Sequence, residues 1–432
     1  MANKNVFCNT PWYEAHIYWN GDLGICCQES RKLYPVSESQ YNIKTMSLHE
    51  WFNSEPVRHL RKDILSDERT EICKLCYQEQ EVGNTSRRHR ANQKSVIFTK
   101  QAFKESYLQS PGHTHFEHSQ STGGHTNTLP IDLHIDLGNY CNLACKMCWP
   151  GASTKIATQH VKWGIQEDKQ YLGNDWTKDE KVWNRFLNEL LEIPKLKNIH
   201  LMGGETLLTK RFEEMVDFMI DHNRFDLNWS FVTNGTIFNR LLMDKLKQFQ
   251  RVGIEVSIET ASLHNEYVRQ GTDNKLVMET IDKYLEYNNE YFSVTLRPAI
   301  SALTIGYYDT LLEFAIEKKL LIKSLIVNTP EYLNIDTLSP QIKQAYLKKY
   351  YKLLENLEKL DISVEFNESD TANYQKSILA QVNQTITLLE NTTDNGKFKE
   401  LVNHCRRWDQ ELGLNALELY PELEEEFKKY GY

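Results

Sequence analysis

The sequence predicts an α/β protein: a partial (β/α)6 TIM-like barrel over 129–334, preceded by a cysteine-rich region and followed by a helical C-terminal extension. Three observations predict it. Six short apolar runs alternate with segments whose apolar residues recur every three or four positions. Four of the runs end in polar or glycine-rich motifs, and after about residue 335 the pattern turns helical throughout. Parallel neighbours require a crossover connection, so repeated strand–helix units imply a parallel sheet.

The first ninety residues hold five cysteines, Cys8, Cys26, Cys27, Cys73 and Cys76, around "FCNTPWYEAHIYWNGDLGICCQES" and "SLHEWFNSEPVRHLRKDILSDERTEICKLCYQEQE". The basic cluster "SRRHR" (86–90) reads as the solvated end of a linker. Residues 91–128, rich in His, Ser, Thr and Gly and without periodicity, read as a linker or mobile loop. Its histidines, His113, His115, His118 and His125, lack the cysteine or carboxylate frame that usually fixes a metal.

The strand candidates follow: "IDLHIDLG" (131–138), "NIHLMGG" (198–204), "WSFVTNG" (229–235), "GIEVSIE" (253–259), "FSVTLRPAI" (292–300) and "LIKSLIVN" (321–328). Between them, "KRFEEMVDFMIDHN" and "YDTLLEFAIEKK" carry one apolar helical face. In parallel α/β architectures the chemistry collects at the carboxyl ends of the strands. The endings "LGNYC", "MGGET", "TNGT" and "SIETAS" therefore look like one site built from successive loops. The segment "SPQIKQAYLKKYYKLLENLEKL" then opens the C-terminal helices with Ser-Pro, a common helix start.

The 432 residues carry 40% hydrophobic and 25% charged side chains, an ordinary globular balance. A net charge of -9 gives no reason to expect nucleic-acid binding. No apolar run approaches the roughly eighteen residues that span a bilayer, and the N-terminus lacks a signal-peptide core. The expectation is a soluble, cytoplasmic protein, in which the clustering of eight of the nine cysteines points to metal or iron–sulfur ligation rather than disulfides. Cys405, alone in "NHCRRWDQ", reads as a buried helix cysteine.

"NYCNLACKMCW" sets Cys141, Cys145 and Cys148 within eight residues. Three thiolates on a four-iron cluster leave one iron open to a small molecule. Zinc, with a fourth ligand from elsewhere, is the structural alternative. "CNLACKMC" resembles the Cys-x3-Cys-x2-Cys signature of the radical S-adenosylmethionine (radical SAM) superfamily, and "GGET" (203–206) resembles its GGE motif. The resemblance covers roughly 129–330. It implies a [4Fe-4S] cluster on Cys141, Cys145 and Cys148, S-adenosylmethionine on the open iron, and Gly203, Gly204 and Glu205 about the methionine amino group. It also implies Thr233 and Asn234 near the ribose, Ser257 and Glu259 on one face of the fourth strand, and Arg269 at the methionine carboxylate. Two positions depart from the family pattern: Glu259 stands where Asp is more frequent, and Met147 where an aromatic residue is usual.

Residues 1–90 resemble the SPASM and twitch modules that carry auxiliary iron–sulfur clusters, although in relatives the module usually follows the barrel. Cys8, Cys26 or Cys27, Cys73 and Cys76 would saturate one auxiliary [4Fe-4S] cluster. Four thiolates also suit closed zinc. The implied activity is reductive cleavage of S-adenosylmethionine to a 5′-deoxyadenosyl radical that abstracts hydrogen, with a low-potential donor such as flavodoxin or ferredoxin. The expected substrate is a peptide or protein side chain or Cα. A small-molecule metabolite is the runner-up, and a non-catalytic zinc-binding interaction protein is the rival of another class.

Overall fold

The computed structural model describes residues 6–29, 40–81, 86–92, 114–359 and 368–432. Its strands in chain order are β1 (Glu14–Ile17), β2 (Leu23–Gly24), β3 (Asp132–Asp136), β4 (Ala144–Cys145), β5 (Asn198–Met202), β6 (Asn228–Thr233), β7 (Arg251–Val256), β8 (Arg269–Gln270), β9 (Phe292–Leu296), β10 (Ala299–Ile300), β11 (Leu321–Ile322) and β12 (Leu325–Ile326). All six expected runs contain strands, and helices lie between them at Glu180–Leu191, Lys210–Asp221, Arg240–Leu246, Asn274–Leu285 and Tyr308–Lys318.

Two runs are broken. Pro298, which has no N–H for a ladder, separates β9 from β10. Lys323 and Ser324 separate β11 from β12, and β10 and β12 form their own two-stranded parallel sheet. The fourth run stops as a strand at Val256, which leaves Ser257 and Glu259 in the loop beyond it.

The chain forms two compact units: Met1–Tyr140 with Gln166–Phe231 and Asp244–Val252, and Cys141–Ile165 with Val232–Met243 and Gly253–Tyr432.

In the first unit the strands lie in the order β2-β1-β3-β5-β6. β1 joins beside β3 in parallel, with His16 opposite His134, and β3 pairs with β5, with His134 opposite His200. Strand alternation sorts the two faces. Leu133, Ile135, Ile199, Leu201, Trp229 and Phe231 are buried, and Phe212 of the 210–221 helix packs 5.9 and 5.1 Å from the Trp229 and Phe231 rings. Each such side chain contributes about 1.5–3 kcal/mol on burial. The opposite face is polar, with His200 Nδ1 2.7 Å from Ser230 Oγ.

Part of the expected linker lies among the described residues. A helix spans Thr114–Ser121, where Ser119 accepts the Trp12 indole N–H at 2.8 Å, and Gly124 O accepts from the fully buried Arg61 at 3.2 Å. His113 and the side chain of His115 lie outside the described residues. Among the described residues, no group of three or more His, Cys, Asp or Glu is drawn together tightly enough to hold a single metal ion, His118 and His125 included. The expected "SLHEWFNS" helix is Leu48–Phe52, begun by a Ser47–Glu50 capping box.

In the second unit β7, β9 and β11 lie side by side, and β4 pairs antiparallel with β8. Helices at Pro340–Lys359, Glu368–Glu390 and Phe398–Leu412 complete it. The first begins at the expected Ser-Pro.

Candidate active site

The cysteine loop belongs to the second unit. β4 and β8 make two pairs, Ala144 with Gln270 and Cys145 with Arg269, and Lys146 N donates to Val268 O at 2.8 Å. A turn from Cys148 N to Cys145 O at 3.0 Å brings the later cysteines together. All three are free thiols. Burial, together with the neighbouring thiols, pushes Cys145 up to about 12 and Cys148 up to about 11, with Arg269 opposing. Such thiols must release protons to ligate a metal or cluster.

Arg269 Nη1 lies 3.5 Å from Cys145 Sγ, and its Nε donates to Glu259 Oε2 at 2.5 Å. The two side chains are 10% and 0% exposed. Glu259 Oε1 also accepts from Ala299 N at 3.4 Å. Neighbouring carboxylate and sulfur hold the buried guanidinium charged.

The third strand end meets the same loop. Asn234 donates to Asn142 Oδ1 at 2.8 Å, and Asn142 donates to Thr236 Oγ1 at 2.9 Å. Thr233 Oγ1 accepts from Gly235 N at 3.2 Å, while Thr233 O accepts from Ser257 N at 2.8 Å.

Gly203, Gly204 and Glu205 belong to the first unit. Both glycines have positive φ, +79° and +53°. A Cβ on Gly203 would sit 2.6 Å from Gly138 O, and one on Gly204 2.2 Å from Tyr140 O. Sequence reasoning assigned this close approach to a ligand; the structure adds a close approach to Gly138 O and Tyr140 O in the chain leading into Cys141. Glu205 N donates to Tyr140 O at 2.8 Å, and its buried carboxylate accepts from Leu207 N at 3.1 Å.

The N-terminal cysteines surround a cavity in the first unit, lined by Cys8, Cys26, Cys73 and Cys76 with Arg87 and Arg88. Cys27 does not line it and hydrogen-bonds His134 and Cys26. Arg87 donates to Cys26 Sγ at 3.2 Å and pairs with Glu14. Burial pushes Cys8 up to about 12. Four thiols lining a shared space, with the Arg87 guanidinium donating to one of them, are a donor set that fits a cluster core.

The basic cluster corrects the sequence reading: Ser86 and Arg88 are buried, Arg87 is 17% exposed, and Arg88 lies 5.1 Å over Tyr77. Only His89 and Arg90 are solvated. The available signal was the nearness of two arginines to a Cys-x2-Cys pair.

Sequence reasoning also missed Lys146. The residue is 6% exposed, and its buried ammonium has no hydrogen-bond partner and stands 3.7 Å over Tyr267 and 4.4 Å over Trp408. Cys405 is fully buried beside Tyr267 and Lys146, and burial pushes its thiol up to about 12. A groove alongside is lined by Cys145, Met147, Cys148, Trp149, Tyr332 and Trp408.

Two family models match this chain: the radical SAM superfamily over residues 135–315 and an iron–sulfur cluster-binding domain, SPASM, over residues 8–77. A radical SAM cyclopropyl synthase of Paramaledivibacter caminithermalis, TigE, is 23% identical over 191 residues, which is 42% of this chain and 38% of that protein. The chain thus spans about two-fifths of the length of this curated relative. Among solved structures, native anSMEcpe with bound AdoMet is 17% identical with a TM-score of 0.38, over 52% of this chain and 61% of that one. Streptococcus suis SuiB bound to precursor peptide SuiA is 13% identical with a TM-score of 0.36, over 71% and 69%.

Proposed function

We propose that this chain, which belongs to the radical SAM superfamily over residues 135–315 and carries an iron–sulfur cluster-binding domain over residues 8–77, cleaves S-adenosylmethionine reductively and takes a hydrogen atom from a peptide or protein residue. The observation that carries this reading is the loop of three free thiols, Cys141, Cys145 and Cys148, held by the pairing of β4 with β8 that sets Cys145 opposite Arg269.

Cys141, Cys145 and Cys148 hold a [4Fe-4S] cluster by three thiolates and leave its fourth iron for the cofactor. When bound, the cluster and S-adenosylmethionine supply the 5′-deoxyadenosyl radical that takes the hydrogen. Glu205 offers an acceptor for the methionine ammonium. Thr233 and Asn234 serve the ribose edge, and the bonds of Asn234 and Thr236 to Asn142 fix that edge relative to the cysteines. Ser257 follows on the same strand-end rim. Cys8, Cys26, Cys73 and Cys76 hold one auxiliary [4Fe-4S] cluster, with Cys27 as the neighbour that does not ligate.

The auxiliary-cluster domain supports a peptide or protein substrate. A small-molecule metabolite is the second reading. A low-potential donor such as flavodoxin or ferredoxin provides the electron, and a cytoplasmic setting suits that chemistry. Among the described residues no helix is long and apolar enough to cross a membrane.

The test is anaerobic purification followed by iron, sulfide and zinc analysis. 5′-Deoxyadenosine formation with dithionite is then compared between the wild type and a Cys141/Cys145/Cys148→Ala variant. About eight irons per chain and turnover that the variant abolishes support the reading. Zinc without iron after reconstitution leaves the interaction protein instead. Stimulation by dialysable metabolites and not by the peptide fraction of an extract favours the small-molecule reading.

A further inference from the structure

Arg269 lies directly across from Cys145. The β4–β8 ladder has two residue pairs, and one of them is Cys145 with Arg269. The backbone bond from Lys146 N to Val268 O at 2.8 Å locks this register. The guanidinium then spans two partners, Glu259 Oε2 at 2.5 Å through Nε and Cys145 Sγ at 3.5 Å through Nη1. Glu259 is in turn held by Ala299 N at 3.4 Å, and its own N–H donates to Asn265 Oδ1 at 3.0 Å. With Glu259 fully buried and Arg269 10% exposed, water does little to screen the carboxylate–guanidinium–sulfur relay.

Resting on the cluster assignment above, we propose that Arg269 is a positioning residue whose N–H···S bond to Cys145, aimed by Glu259, sets the reduction potential of the open cluster. Hydrogen bonds to ligand sulfurs and local net charge are the protein's levers on such potentials. A donor cation at a ligand sulfur favours the reduced, more negative state and raises the potential. The carboxylate behind it has the opposite sign and lowers it. An arginine suits this place because its charge is fixed and its planar fork reaches two acceptors at once, which a lysine ammonium does not reproduce. The sequence resemblance gave Arg269 to the methionine carboxylate; the structure adds Glu259 and Cys145 as partners of the same guanidinium.

The two residues therefore make opposite predictions. In the reconstituted full chain without S-adenosylmethionine, an EPR-monitored redox titration follows the cluster whose signal changes when S-adenosylmethionine is later added. Arg269→Gln is expected to shift its midpoint to lower potential and Glu259→Gln to higher potential. Arg269→Lys is expected to fall between Arg269→Gln and the wild type, with iron per chain unchanged in all three. An unshifted midpoint in Arg269→Gln with weakened S-adenosylmethionine binding overturns the proposal in favour of a carboxylate contact. Loss of iron in Arg269→Gln, with wild-type midpoints in Arg269→Lys and Glu259→Gln, reduces Arg269 to a structural role and also overturns it. A wild-type chain that takes up no iron removes the cluster assignment and the proposal together.

Discussion

Arg87 donates its Nε to the sulfur of Cys26 at 3.2 Å, while Cys27, the next residue, turns away from the four-thiol cavity toward His134. The adjacent pair is thereby divided, one thiol on the cavity wall and one off it. Replacing Cys26 with Ala is expected to lower iron from about eight to about four per chain. Cys27→Ala is expected to keep the full complement. Iron and sulfide analysis of both reconstituted variants checks this, and equal losses would return Cys27 to the ligand set.

The strands were legible because alternation reports burial directly: Leu133 and Ile135 face the core while Asp132, His134 and Asp136 do not. The cysteine spacing and the glycine–glutamate turn were legible because they are local. What escaped the sequence was long-range. β1 spans four residues, and its partner strand lies more than a hundred residues away, so nothing in "EAHI" announced that it would extend the parallel sheet. Glu259 was read as alternating in register with Ser257, but the strand ends at Val256, and Arg269, ten residues on, takes up its carboxylate. Arg87 and Arg88 looked solvated because a charge run carries no mark of what it will face.

Gly204 tests the turn that packs against Tyr140. An Ala there must adopt φ near +53° and set its Cβ 2.2 Å from Tyr140 O, a backbone atom that cannot swing aside. Left-handed backbone of this kind costs a non-glycine residue about 1–3 kcal/mol. The shift passes into Tyr140, the residue bonded to Cys141. Gly204→Ala is expected to lower Tm and to weaken S-adenosylmethionine binding more than tenfold, measured by thermal melting and equilibrium dialysis. Unchanged binding would show that the cofactor does not depend on this turn.

Glu189 gives a pH signature. Burial raises its carboxyl above the usual carboxylate value, against the backbone N–H groups of Leu48 and His49 that favour the charged form. The folded state therefore holds this proton to higher pH than the unfolded chain. Stability falls as pH rises from the unfolded value through the raised one, and the loss persists above it. Glu189→Gln removes this slope while keeping an acceptor for His49 N, which donates at 3.2 Å. Its Tm relative to wild type is expected to climb between pH 4.5 and 7.5. A Tm difference that stays constant over that range would mean the carboxylate is not destabilised by its setting.

Trp408 shows why the C-terminal helix matters to the loop that carries the cysteines. Lys146 sits between Cys145 and Met147, its ammonium 4.4 Å over the Trp408 ring and 3.7 Å over Tyr267, with no hydrogen-bond partner to replace either. Burial lowers its affinity for a proton, to about 8, with Cys405 and Asp409 nearby opposing the shift, and the two rings face the charge that remains. A desolvated cation–π contact contributes about 2 kcal/mol, and Trp408, 5% exposed, fills core volume as well. Trp408→Leu removes the ring and frees the loop, whereas Trp408→Phe keeps a π face. The leucine variant is expected to lose iron to a chelator several times faster than wild type, with the phenylalanine variant recovering most of the difference. If both variants release iron at one rate, volume rather than the ring holds Lys146, and the helix acts on the loop by packing alone.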